Sequence, residues 1–146
     1  MLVSKELNAA YWALRIGFGL GPLIAGIDKF TNVLVNWEKY LSPVAQRVLP
    51  VSPGTFMQFA GVVEIVVGLA ILAGATRIFG YIVMLWLFAI AANLISSGNY
   101  FDIALRDIVL GIGGYALARV TETRHSVVRV TDEYRDEYRD DFRRAA

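Results

Sequence analysis

The chain has 146 residues, 56% of them hydrophobic, a mean hydropathy of +0.51, no cysteine, one histidine and a formal charge of +1. Apolar content this high, gathered into long runs, excludes an ordinary soluble domain and indicates an integral membrane protein. Without cysteine there is no disulfide, thiolate-held metal or cysteine nucleophile. With His125 alone, outside the apolar runs, the chain by itself offers no bis-histidine haem, di-iron Glu-x-x-His cluster, histidine metal centre or hydrolytic triad.

Lys5 ahead of an apolar stretch is reminiscent of a signal peptide. Arg15 interrupts that stretch and no small-x-small cleavage site follows, so it reads as a retained first membrane helix over about 9–27. Tyr11 and Trp12 mark one interface and Asp28-Lys29 the other. Arg15, Gly19, Pro22 and Gly26 share a face, which leaves room for a close neighbour. Arg15 itself has two readings, snorkelling to the near interface or pairing with an acid inside the bundle. The G-x-G of GFGLG lies within this helix with no strand before it and is not a dinucleotide fingerprint.

Residues 30–55 are less hydrophobic, with Leu34, Trp37, Leu41, Val44 and Val48 at helical spacing. They predict one or two short amphipathic helices at the interface, with a restart at Ser42-Pro43. The second span, 56–74, has Glu64 near its middle, on one face with Gly61 and Gly68. A carboxylate facing lipid costs several kcal/mol, so Glu64 must face inward and find a partner, a wet cavity or a proton. The short link Ala75-Thr76-Arg77 makes the third span, 78–97, an antiparallel neighbour, and its Asn93 predicts an interhelical hydrogen bond. The fourth span, 103–118, is the weakest because Arg106 and Asp107 stand near its start. Asp107, Gly111, Gly114 and Ala118 repeat the acid-plus-small-residue face of the second span. From these depths, with Glu64 deeper than Asp107, Arg106–Glu64 is the preferred cross-helix pair, with Arg15 as competitor; the patch is either a structural ion pair or a ligand or proton site.

The predicted fold is therefore an all-α integral membrane protein. Residues 1–118 form an antiparallel four-transmembrane-helix bundle with an interfacial segment between the first two spans, and 119–146 form a charged, helical cytoplasmic tail. Lysine and arginine near the span ends (Lys5, Arg77, Arg119, Arg124 and Arg129 against Lys29, Lys39 and Arg47) favour both termini in the cytoplasm. Within the tail, Tyr134, Tyr138 and Phe142 recur four apart beside Arg135, Arg139 and Arg143, a stripe suited to docking on a membrane surface or another subunit. The tail is net neutral, which argues against nucleic acid.

The segments LRIGFGLGPLIAGIDKF, GVVEIVVGLAILAGATRIFGY and ALRDIVLGIGGYALA, with Lys29, Glu64 and Arg106-Asp107 at their places, resemble the DoxX family of small four-helix prokaryotic membrane proteins over about 13–118. The resemblance implies a multi-pass protein of the cytoplasmic (inner) membrane with redox-linked partners. Members include a small subunit associated with thiosulfate:quinone oxidoreductase, and another linked to a complex of a superoxide dismutase and a sulfurtransferase. It supplies no catalytic residue. The expectation is an accessory subunit of a respiratory or other redox membrane complex, without catalytic activity of its own. The alternatives are a quinone- or lipid-binding component, with Arg15, Glu64, Asn93, Arg106 and Asp107 as ligand candidates, and a small homo-oligomeric transporter or channel, against which the weak repeat between the two halves speaks.

Overall fold

The computed structural model describes residues 5–145, and past residue 130 the side chains of Glu133, Tyr134, Arg135 and Arg139. Among these residues the chain is all-helical: α1 (Lys5–Thr31), a single 3-10 turn (Trp37–Tyr40), α2 (Pro43–Val48), α3 (Pro53–Ala73), α4 (Thr76–Ser96) and α5 (Phe101–Ala145). Three helices, α1, α3 and α4, are long and apolar enough to cross a membrane. The 21 residues of α3, like those of α4, rise about 31 Å, close to the thickness of a hydrocarbon core.

Element bounds follow local capping chemistry. α3 begins before the expected residue 56 because Ser52 caps it: the Ser52 hydroxyl accepts the Thr55 N–H at 3.2 Å and Pro53 occupies the first turn, where its missing N–H costs nothing. α3 ends at Gly74, whose φ of 108° is a left-handed cap that glycine adopts without strain. The link to α4 is correspondingly shorter than expected, since Thr76 and Arg77 already belong to α4. Between α1 and α3, Ser42 caps α2 by accepting the Ala45 N–H at 3.1 Å, so the restart at Ser42-Pro43 is where the sequence put it.

α1 packs chiefly on α3 and α4 chiefly on α5, while contacts between α1 and α5 and between α3 and α4 close the four long helices on one another. Both tight seams are backbone against backbone. A Cβ on Gly26 would lie 2.6 Å from the Gly61 carbonyl oxygen, one on Gly61 2.7 Å from that of Gly26, and one on Gly68 2.6 Å from that of Gly19. The α4–α5 seam repeats this at Gly80 and Gly114, with approaches of 2.9 and 3.0 Å. Such small-residue faces let helices approach where lipid offers no hydrophobic drive to association. Tyr11, Val67, Ile71, Val83 and Leu117 form a core near the α3–α4 turn; Ala91, Leu94 and Ala104, backed by Tyr40 and Tyr100, form a second one at the opposite end.

The outer surfaces are apolar. α1 exposes Trp12, Ile16, Leu20 and Ile24, α3 exposes Phe59, Val62, Val66 and Leu69, and α5 exposes Leu105, Val109 and Ile112. α5 does not stop near residue 118. It continues as one helix of 45 residues, about 67 Å long, because neither glycine nor proline follows Gly114. Its first turns past the bundle are braced: Glu122 accepts from Arg77 Nε at 3.2 Å and from Tyr81 Oη at 3.4 Å and also pairs with Arg119, while Thr121 donates to Thr76 at 2.9 Å. Further out, Val128, Val130 and Tyr134 stand exposed.

Candidate functional site

Glu64 is buried, and both its oxygens are engaged. Lys29 Nζ donates to Oε2 at 2.6 Å and Trp86 Nε1 to Oε1 at 3.2 Å. The Lys29 and Glu64 side chains keep only 5% and 8% of their exposure, so this is an ion pair away from water. Lys29 starts near the end of α1, and its Cβ lies 3.1 Å from where a Gly61 Cβ would stand. The glycine that lets the helices touch also opens the path along which the lysine stem runs to Glu64.

The ammonium has a second neighbour, the Trp37 ring face, 3.7 Å from Nζ to centroid, a cation–π contact that offsets part of its desolvation. Trp37 is held in turn by Asp28, whose Oδ2 accepts the indole Nε1–H at 2.8 Å. Asp28 also accepts the backbone N–H groups of Val33 at 2.9 Å and Leu34 at 3.0 Å and the Thr31 hydroxyl at 3.1 Å, which fastens the turn leaving α1. Asp28, Trp37, Lys29, Glu64 and Trp86 therefore form one continuous network linking α1, the 3-10 turn, α3 and α4.

The expected Arg106–Glu64 pair is not formed, and neither is the competing Arg15–Glu64 pair. Consecutive residues on a helix point about 100° apart, so Arg106 and Asp107 cannot both face the bundle. α5 turns Asp107 inward, 6% exposed, and leaves the Arg106 side chain 66% exposed, its Nε 3.8 Å from Asp107 Oδ1. Nor does Asp107 lie in a shallower layer than Glu64. Seven residues before Gly114 is Asp107 and seven after Gly80 is Leu87, so antiparallel pairing brings Asp107 level with the neighbour of Trp86, which bonds Glu64. The two carboxylates are within electrostatic reach of each other.

Arg15 acts at the other end of the bundle. Its Nε donates to the Ile71 carbonyl at 3.2 Å, and a terminal nitrogen donates to that of Leu72, so it satisfies the last turn of α3 where the helix dipole favours a cation. The guanidinium lies 4.6 Å from the Trp12 ring centroid. Asn93 makes its expected hydrogen bonds to another element, and that element is the linker between α1 and α3: it donates to the Tyr40 carbonyl at 2.7 Å and accepts the Ser42 N–H at 3.0 Å, pinning the junction of the 3-10 turn and α2 onto α4. In the extension, Tyr134, Arg135 and Arg139 are exposed, whereas Tyr138, Phe142 and Arg143 lie outside the described side chains.

The residues that sequence reasoning missed are Lys29 as the partner of Glu64, and Asp28, Trp37 and Trp86. The spacing held a usable signal. Gly19 and Gly26 match Gly61 and Gly68 at the same interval of seven, which sets the α1–α3 register and brings Lys29 over Gly61 toward Glu64. No family model matches this chain, and no curated protein and no solved structure matches it either.

Proposed function

We propose that this chain is a four-span, DoxX-like protein of the prokaryotic cytoplasmic membrane, both termini in the cytoplasm, serving as an accessory subunit of a membrane redox complex. The observation that carries the reading is α5. Its first half joins the bundle with an apolar outer face at Leu105, Val109 and Ile112, and the same helix then runs on as a rod with Tyr134 exposed. A helix whose charged residues near the bundle pair internally and which leaves Val128, Val130 and Tyr134 exposed beyond it is built to present a surface to another subunit. The interior polar groups support the auxiliary role, because Arg15, Asn93 and Glu64 are each committed to holding helices or linkers together. The resemblance to DoxX proteins rests on the quoted motifs, and the redox partners follow from it.

The test is purification from the native membrane in mild detergent, with mass spectrometry of what co-migrates, for the full chain and for a chain lacking 130–146. A discrete set of redox subunits that is lost on truncation is the expected result. The protein migrating alone, or only with itself, in both forms overturns the assignment.

A further inference from the structure

Among the described residues, Asp107, 6% exposed, is the acid of the bundle interior that accepts no hydrogen bond. Among the described residues none donates to it, and its nearest cation is the exposed Arg106 at 3.8 Å, too long for a charge-assisted bond. An ionised carboxylate in such a place is costly, whereas a carboxylic acid there is a neutral group with a donor of its own.

The groups facing it leave room for one more positive charge. From α3 comes Glu64, already neutralised by Lys29 of α1, whose neighbour Asp28 is consumed by the Trp37 indole and the turn. α4 brings Trp86 and Leu87 to this level, and its charged residue, Arg77, lies in its first turn at the opposite end. The 3-10 turn supplies Glu38, which sits against Gly54 at the start of α3. Lys29 is thus taken up by Glu64, and Asp107 is left with the exposed Arg106 guanidinium, 3.8 Å away, as its cation. A proton is the cation that needs no cavity.

We propose that Asp107 is a proton-binding site beside the Lys29–Glu64 pair, exchanging a proton with the outer surface along the Arg106 side. The step is a simple one: the carboxylate takes up one proton and becomes a neutral acid, with no electron transferred and no other bond broken. The role does not depend on which subunits the chain assembles with. When the proton leaves, a second negative charge stands within electrostatic reach of Glu64, so protonation state and the α1–α3 ion pair are linked.

The experiment is infrared titration of the full chain in lipid nanodiscs, following the carbonyl stretch of protonated carboxyl groups between about pH 4 and 9. The expected result is a titrating band, sensitive to deuterium exchange, that is lost in Asp107→Asn and retained in Glu64→Gln with its midpoint displaced to lower pH, because the neighbouring negative charge is then gone. A spectrum of Asp107→Asn identical to the parent, or loss of the band in Glu64→Gln instead, overturns the proposal. If Asp107→Asn does not fold, Asp107→Glu serves in its place: the band must move to the frequency of a glutamic acid, and an unmoved band overturns the assignment.

Discussion

Replacing Lys29 by methionine keeps the length and most of the volume of the side chain while removing its charge. Glu64 then retains only the Trp86 indole N–H at 3.2 Å, in a place where the pair together kept less than a tenth of its exposure. Breaking a buried pair by deleting one partner costs about 3–5 kcal/mol. At about 3 °C per kcal/mol for a chain of this size, the midpoint of thermal unfolding in detergent falls by about 9–15 °C. Glu64→Met strands the ammonium against Trp37 and costs a similar amount. The double variant leaves no stranded charge, and apolar replacement of a buried pair is often neutral, so it lies within about 1 kcal/mol of the parent. The cycle is then non-additive by several kcal/mol. If Lys29→Met changed stability by less than about 1 kcal/mol, or the double variant lost the sum of the two single losses, the pair would not be what links α1 to α3.

The glycine seams give a paired comparison. Gly68→Ala places a Cβ 2.6 Å from the Gly19 carbonyl oxygen and forces α1 from α3, lowering stability by about 1–3 kcal/mol, whereas Gly21→Ala meets nothing within 4 Å and is neutral or slightly stabilising; thermal melts of the two check it. Arg15→Met uncaps the last turn of α3 and costs about 1–2 kcal/mol in the same assay. Asn93→Ala frees the Tyr40 carbonyl and the Ser42 N–H, so hydrogen exchange across 40–48 accelerates severalfold while that of α3 is unchanged.

Helicity and approximate element positions were legible in the sequence because they depend on local signals. Long apolar runs, Ser-Pro starts at 42–43 and 52–53, and glycines at 74 and 98 each act within a few residues. The partner of Glu64 was not legible from depth alone. Counting residues from each span's start placed Arg106 within reach but ignored the face it occupies, and α5 faces inward with Asp107 instead. Matching the glycine intervals of the first two spans would have pointed to Lys29. Asn93 was recognised as a tether, but its partners are backbone groups of an irregular linker, which has no periodicity to betray where it crosses. The extension was expected to be helical, and its unbroken junction with the last bundle helix follows from the absence of any helix breaker after Gly114.

The central claim is that α5, despite Arg106, Asp107 and Arg119 flanking its apolar 108–118 stretch, crosses the membrane as the fourth span. The chain contains no cysteine, so single substitutions at exposed Asn99, in the α4–α5 turn, and exposed Ser126, beyond the bundle, report topology without background. With a membrane-impermeant maleimide on intact cells, the account predicts that Asn99→Cys is labelled and that Ser126→Cys is labelled only after permeabilisation. Labelling of both positions from the same side would contradict it.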